Sequence, residues 1–341
     1  ANVNINLKEV IINMENIKFE ALEVSEIEGN FKRKIIEKEI NDLPKGDLII
    51  NVKYSSLNYK DALSANGNKG VTREYPHTPG IDAAGIVVED QSGTYNKGDE
   101  VIVTGYDLGM NTDGGLEEYI RIPAEWAVKL PENLTLRESM IYGTAGFTAA
   151  LSVYKLLAAD IDEGDILVTG ASGGVGSFSS AILAKLGYDV TAATGKTEAE
   201  AYFNNLGVKN IIDRRELDDD SGKMILKEKW SGVIDTVGGN MLSTAIKSTS
   251  YDGAVTCCGN VASAKLDLNV YPFILRGVSL IGIDSVQCKR SLREEVWRKI
   301  ASDWKLAQLD DFSEEVLLDD LNEQIENMLA GNSKGRIIVK L

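Results

Sequence analysis

The chain's most specific chemistry is carried by the run Thr169-Gly170-Ala171-Ser172-Gly173-Gly174-Val175-Gly176. It follows an apolar stretch, Ile166-Leu167-Val168, and precedes a helical pattern from Phe178 to Leu186. Strand, glycine turn and helix are the parts that a dinucleotide pyrophosphate needs. Glycines let the backbone turn tightly and approach the phosphates, whose charge then rests on N–H groups at the positive end of a helix. Ser172, Gly173, Gly174 and Val175 are the expected donors. A glycine-rich turn by itself is often only a turn; the strand before it and the helix after it favour a cofactor site.

Cofactor choice is written at the end of the next strand. An NAD site usually places Asp or Glu there to hold the ribose 2′-hydroxyl. This chain has Ala192-Ala193-Thr194-Gly195-Lys196, with no acid until Glu198. Thr194 can donate to a 2′-phosphate, Gly195 lets its N–H approach, and Lys196 supplies charge. Lys196 alone reads equally well as a solvated loop cation, but with the missing acid the pattern favours NADPH. Thr236 and Asn260 follow later strand ends, where open α/β sheets bind ligands. Either one could instead be plain packing.

These residues need a frame, and the sequence suggests an α/β protein in two parts. From Ile49 to about Arg121, short β-type segments recur between turn residues: Ile49–Tyr54, Ala84–Val88, Glu100–Thr104 and Glu118–Ile122. That pattern predicts a compact, mostly antiparallel β domain. From Asp165 strand and helix alternate, with strands at Ile166–Thr169, Val190–Thr194, Asn210–Asp213, Gly232–Val237, Ala254–Cys257 and Val278–Ile283. Amphipathic runs at Glu198–Leu206 and Met241–Ser248 lie between them, so a parallel sheet with covered faces is expected. Ser139–Tyr154 reads as a buried helix leading into the second part, and Ser291–Trp304 as a further helix. Arg336–Leu341 reads as a strand returning to the first part.

Composition narrows the partners. The 341 residues carry a net charge of −16, which argues against a nucleic-acid groove or an anionic membrane surface. Ser139–Tyr154, a long uncharged stretch, is too short and too polar to span a bilayer. Three cysteines, Cys257, Cys258 and Cys288, make no disulfide framework, and a cytoplasmic, reducing setting is expected. No signal peptide is visible in Ala1–Glu9, and residues up to Asn13 have no clear role.

The order of parts resembles the medium-chain dehydrogenase/reductase superfamily. Closer motifs resemble its YhdH/YhfP group, the zinc-free quinone-oxidoreductase-like enzymes that include bacterial acryloyl-CoA reductases. They are Ser55-Ser56-Leu57-Asn58-Tyr59-Lys60-Asp61, Pro79-Gly80-Ile81-Asp82-Ala83-Ala84-Gly85, Gly143-Thr144-Ala145-Gly146-Phe147-Thr148-Ala149, Ile234-Asp235-Thr236-Val237-Gly238, Pro272-Phe273-Ile274-Leu275-Arg276 and Gly282-Ile283-Asp284-Ser285. The resemblance covers roughly Ile17–Leu341. It implies a GroES-like β-rich catalytic domain over 1–140, a Rossmann NADP-binding domain over 141–287, and a return to the catalytic domain over 288–341.

It also assigns expectations to residues. Arg214 is similar to a family position that reaches the 2′-phosphate, though it could be part of a surface pair with Arg215. Ile274 and Ser285 lie in segments resembling the nicotinamide-side contacts, and Arg336 resembles an arginine of the interdomain cleft. Asn58, Tyr59 and Asp61 form the expected catalytic group. Tyr59 could bond the nicotinamide ribose or relay a proton, Asn58 could orient the substrate, and Asp61 could hold either. Asn58 could also simply end a strand while Asp61 caps the next helix. Asp82 is expected to bridge the two domains. Zinc-dependent relatives use cysteine and a histidine–glutamate pair. Here the one histidine, His77, sits between Pro76 and Pro79 as an expected loop residue, and no cysteine precedes Cys257, so no metal is expected.

The expected activity is NADPH-dependent reduction of an activated C=C in an acryloyl-CoA-like thioester or carbonyl. Quinone reduction is the alternative, and a non-catalytic NADPH-binding redox sensor a second one. Lys69, Arg73 and Arg276 are candidates for a CoA phosphate patch, each equally readable as surface charge. The apolar segment Val278–Ile283 could be a sheet edge, and in the wider family the matching strand pairs with its copy, so a homodimer is expected.

Overall fold

A computed structural model describes residues 17–161, 164–196, 200–333 and 335–341. The expectations for Ala1–Asn13 and for the start of the Glu198–Leu206 helix lie outside the described residues. In chain order, β1 (Lys18–Ile27) and β2 (Asn30–Glu39) form a hairpin, followed by β3 (Leu48–Leu57), α1 (Tyr59–Ala65), β4 (Asp82–Asp90), β5 (Glu100–Thr104), β6 (Tyr119–Ile122) and β7 (Ala127–Lys129). Then come α2 (Leu136–Leu157), β8 (Asp165–Thr169), α3 (Gly174–Lys185), β9 (Asp189–Thr194), α4 (Glu200–Asn205), β10 (Asn210–Asp213), β11 (Trp230–Asp235) and α5 (Gly239–Lys247). β12 (Thr249–Cys257), α6 (Tyr271–Arg276), β13 (Ser279–Gly282), α7 (Arg290–Ile300), β14 (Ser313–Leu317), α8 (Leu321–Leu329) and β15 (Arg336–Lys340) complete it.

The second half holds a sheet in the order β10-β9-β8-β11-β12-β13, every pairing parallel. Strand order therefore reverses between β8 and β11. That is the topological switch point where doubly wound sheets bind dinucleotides. The glycine turn leaves β8 there. The other sheet runs β14-β15-β3-β4-β5-β7, with β6 added to β3. It is antiparallel except for the β14–β15 pair. As expected, the C-terminal strand returns to it, pairing Ile337 with Leu57.

One helix joins the sheets. α2 starts with a reciprocal cap: Glu138 N–H donates to Thr135 Oγ1 at 3.1 Å, and Thr135 N–H to Glu138 Oε2 at 2.9 Å. It kinks at Gly143, where φ is 51° and ψ −155°. Gly143 is required there, because a Cβ would stand 2.6 Å from Asp82 Oδ2 and 2.7 Å from both Arg336 Nη2 and Ser56 Oγ. The largest hydrophobic core gathers around this helix, with Phe147, Phe178 and Trp297 fully buried.

Five elements differ from expectation. The hairpin of β1 and β2 precedes the first strand read from sequence; its turn places Glu28 and Gly29 at positive φ, as a two-residue hairpin requires. β14 and α8 were also unforeseen. The helix expected over Ser291–Trp304 ends at Ile300, where the chain tightens so that Trp304 N–H donates to Lys299 O.

Candidate active site

α3 begins at Gly174 with Gly173 as N-cap and no side chain capping it. Its first amides are thus left for a ligand, at the helix's positive end. The turn is packed too closely for any side chain at Gly176, whose Cβ would lie 2.3 Å from Gly170 O. Thr236, at the end of β11, ties this turn to the neighbouring strand, donating from Oγ1 to Thr169 O at 2.9 Å. Beneath it the buried Asp235 accepts from Thr169 Oγ1 at 2.7 Å and Gly238 N–H at 2.8 Å. Sequence reasoning passed over the Thr169–Asp235 pair, which shows only as polar residues ending apolar strands.

At the end of β9, Lys196 N–H donates to Thr194 Oγ1 at 3.0 Å, and Thr194 Oγ1 lies 3.3 Å from Ser172 Oγ. The Arg214 guanidinium folds over Gly195: a Cβ on that glycine would be 3.1 Å from Nε. Thr194, Gly195 and Arg214 are therefore brought together, with exposed Lys196 next in the chain. Arg214 also lines a cavity of about 430 Å³ with Met241 and Ser263. Asn260 is exposed in the loop after β12.

A second cavity, of about 220 Å³, gathers Asn58, Tyr59 and Arg336 with Ser172, Gly173 and Gly174. Phe178, Phe312 and Met328 add apolar wall. Tyr59 opens onto it, 58% exposed. Asn58 is held on both sides of its amide. Nδ2 donates to Asp82 Oδ2 at 2.8 Å, and Oδ1 accepts from Arg336 Nη1 at 3.1 Å. Arg336, only 6% exposed, also donates from Nε to Ile141 O at 3.1 Å, while its Nη2 makes no hydrogen bond and stands 3.9 Å from Asp82 Oδ2 as an ion pair.

Asp82 is the hub of this group. Besides Asn58, its carboxylate accepts from Ser56 Oγ at 2.6 Å, Thr144 N–H at 2.9 Å and Thr144 Oγ1 at 2.6 Å. A carboxylate of one sheet thus caps the helix segment that follows the Gly143 kink. Asp61 caps α1, the alternative reading of that residue. It is 0% exposed, and its two oxygens accept from Asn58 N–H at 2.7 Å and Ile81 N–H at 2.9 Å. It props the site from below and does not reach the cavity. Burial pushes its carboxyl up to about 7 against those amide donors, and the nearby Asp82 charge adds to the rise.

Other candidates fall elsewhere. Ile274 stands 67% exposed on α6, and Ser285 is half-buried, its hydroxyl 2.9 Å from Thr148 Oγ1; neither lines the cavity. Arg276 is no phosphate ligand, since it donates to the carbonyls of Lys247, Thr249 and Leu226. Lys69 pairs with Glu26 at 2.6 Å, and Arg73 is exposed. His77 is buried, with Nε2 3.0 Å from Gly109 O. A catalytic zinc does not fit here. Among the described residues no three His, Cys, Asp or Glu side chains are grouped to hold a metal, and Asp61 and Asp82 spend their oxygens on N–H and O–H donors.

Comparison with known proteins agrees with this architecture. Residues 44–132 match the alcohol dehydrogenase GroES-like domain, and 174–302 the zinc-binding dehydrogenase domain. The protein YhfP of Bacillus subtilis, provisionally named a quinone oxidoreductase, is 43% identical over 326 residues, 95% of this chain and 99% of that protein. Its structure with NAD bound superposes with a TM-score of 0.93. The acrylyl-CoA reductase AcuI of Ruegeria pomeroyi is 40% identical over 94% of this chain and 98% of its own length. The yhdH oxidoreductase of Salmonella enterica, in complex with NADP, is 38% identical over 94% of this chain and 99% of its own, with a TM-score of 0.91.

The chain belongs to the YhdH/YhfP group of the medium-chain dehydrogenase/reductase superfamily. The zinc in that second domain's description is matched by no grouping of three His, Cys, Asp or Glu side chains among the described residues.

Proposed function

We propose that the chain is a zinc-independent, NADPH-dependent reductase of an activated C=C, in an acryloyl-CoA-like α,β-unsaturated thioester or carbonyl. One observation carries this reading: the uncapped start of α3, Tyr59, Asn58 and Arg336 share one cavity. The identity to AcuI and the NADP complex of yhdH support it.

When bound, the cofactor supplies a hydride to the β-carbon; the chain's own residues supply geometry and protons. The Arg336 guanidinium, which lines the cavity, takes up negative charge on a phosphate or a developing enolate oxygen. Asn58 has one lone pair on Oδ1 to offer, since Asp82 and Arg336 fix its amide orientation. The exposed Tyr59 hydroxyl is the mobile donor, bonding the ribose or delivering a proton to the α-carbon. Phe178, Phe312 and Met328 keep water from that side. Thr194, Gly195, Lys196 and Arg214 favour NADPH over NADH. For the domains we keep the limits 1–140, 141–287 and 288–341, a division supported by the two sheets.

NADPH consumption with acryloyl-CoA, crotonyl-CoA and a small quinone tests the reading. Acryloyl-CoA should be turned over fastest. A faster quinone moves the chain to the second reading, which the name of YhfP favours; NADPH binding without turnover of any moves it to the non-catalytic one. We further propose a cytoplasmic homodimer. Its support is three unbridged cysteines and the open edge strand β13, where Leu280 is exposed, as are Ile274 and Leu275 on α6. Light scattering at micromolar concentration should give twice the chain mass of 37.1 kDa.

A further inference from the structure

Arg293 belongs to none of the groups above. It lies on α7, 1% exposed, and its fork grips two separate stretches of chain. Nη1 donates to Thr104 O at 2.7 Å and to Thr104 Oγ1 at 2.9 Å; Nη2 donates to Ser285 O at 2.9 Å and Val286 O at 3.1 Å. These acceptors are carbonyls and a hydroxyl, not carboxylates. Aromatic faces flank the rest of the charge, with Cζ 4.7 Å from the Tyr106 ring centroid and 4.8 Å from that of Phe147. Tyr106 adopts φ 53°, a left-handed conformation that costs a non-glycine residue energy and marks sites where the surroundings enforce it.

The two gripped stretches are where the sheets meet. Thr104 ends β5, and Ser285–Val286 follow β13, where the chain leaves the parallel sheet. Tyr106 N–H donates to Val286 O at 3.0 Å, sealing the same junction. From it two routes lead to Asn58. Thr104 lies directly opposite Asp82 in the β4–β5 register. On the other route, the Thr148 hydroxyl sits 2.9 Å from Ser285 Oγ and 2.7 Å from Thr144 O. With one proton per hydroxyl, Ser285 donates to Thr148 and Thr148 to Thr144. Thr144 bonds Asp82, which holds Asn58.

We infer that Arg293 is a positioning residue for the reacting end of the cleft, acting on Asn58 through Thr104–Asp82 and Ser285–Thr148–Thr144. Lysine cannot replace it, because a point charge offers no planar fork for oxygens of two chains and no flat face for two rings. The assignment rests on the NADPH reading above. It predicts a split between the two ends of the cofactor site, since the phosphate-binding residues Thr194 and Arg214 take no part in this relay.

The test titrates NADPH and 2′-phospho-ADP-ribose, which lacks the nicotinamide, against wild type and Arg293→Lys, with kcat and melting curves alongside. NADPH affinity should fall about tenfold, the scale of a lost charge-assisted hydrogen bond. Turnover should fall by about 10–100-fold, as for a small misplacement of reacting groups. The nicotinamide-free fragment should bind within about twofold of wild type. If Arg293→Lys does not melt cooperatively, Tyr106→Asn replaces it: asparagine tolerates the left-handed backbone and removes one aromatic face, so the same split should follow. Parallel losses for NADPH and the fragment, or no loss for either, overturn the assignment. A wild type that binds neither overturns the cofactor reading, and the assignment with it.

Discussion

At the end of β8 the protein offers a ligand its backbone, whereas at the end of β3 it offers side chains. In the proposed site the glycine turn would bind through amides whose direction follows from chain geometry, with Ser172 and Val175 contributing mainly N–H groups. Around Asn58 each polar atom is aimed by another: Asp82 aims Asn58 Nδ2, Arg336 aims Oδ1, and Asp61 holds the Asn58 backbone. The first region should tolerate most side-chain changes that leave its glycines alone. The second should fail when one member of its network changes.

Gly176→Ala tests the first half of that contrast and should have the largest effect on cofactor binding. Its Cβ would stand 2.3 Å from Gly170 O and 2.7 Å from Ala171 Cα, both backbone, so the turn itself must shift. A displacement near 1 Å should weaken NADPH binding by roughly 100-fold or more. Fluorescence titration beside a melting curve measures it. Ser172→Ala, in the same turn, should bind nearly as wild type; equal losses in the two variants would mean that side chains make that site too.

Tyr59→Phe comes next. If its hydroxyl delivers the proton, kcat should fall by about 10²–10⁴-fold with the fold intact. A fall of less than tenfold would make it a positioning contact, and unchanged kinetics would leave proton delivery to water. Steady-state kinetics with the best substrate decide it.

The contrast also explains what could be read from the sequence. The glycine turn is contiguous, so one stretch of chain reveals strand, turn and helix; the strands Glu100–Thr104 and Asn210–Asp213 were legible to the residue for the same reason. The network around Asp82 joins residues 56, 58, 82, 144 and 336 from four elements, and sequence alone signals membership only through the family motifs. Direction was harder still. Asp61 is two residues from Tyr59, about 200° round the helix, and the loop carrying Ile81 lies over it, so its carboxylate faces inward. β1 and β2 escaped notice because β2, Asn-Phe-Lys-Arg-Lys-Ile-Ile-Glu-Lys-Glu, is never fully buried and charged residues hide its alternation. Arg276 and Lys69 look like free cations in a sequence, and only the fold shows the carbonyls and carboxylate they serve.

Asp61 gives the network a pH signature that the glycine turn lacks. Burial raises its folded-state carboxyl from 3.8 to about 7. Between those values the unfolded chain has already released a proton that the folded one retains, so the unfolded state binds fewer protons and stability falls as pH rises. The contribution is whole below about 4 and gone above about 7. Asp61→Asn cannot titrate, so its stability should change less between pH 5 and pH 7.5 than that of wild type. Each tenfold difference in proton affinity between the folded and unfolded carboxyl is worth about 1.4 kcal/mol. Urea denaturation at both pH values reads the difference; parallel behaviour would mean that Asp61 ionises in the fold as it does in water.

The smallest effect is expected where backbone and side chains cooperate, at the end of β9. Thr194 and Gly195 shape the loop while Lys196 and Arg214 add charge, and Arg214 lies over Gly195 closely enough to share one phosphate with its N–H. Each cation should supply one charge-assisted bond to the 2′-phosphate, worth about 1.5–3 kcal/mol when made in full and less at this exposed edge. Lys196→Ala and Arg214→Ala should therefore each weaken NADPH binding about tenfold and leave NADH nearly unchanged, because NADH has no 2′-phosphate to lose. Affinity measured at two salt concentrations sharpens the reading, since an exposed charge contact should fade with screening. Equal losses for the two cofactors would instead mean that these cations only hold the loop. The β9 end would then bind by shape, as the glycine turn does, and selectivity for NADPH would rest on the missing acid alone.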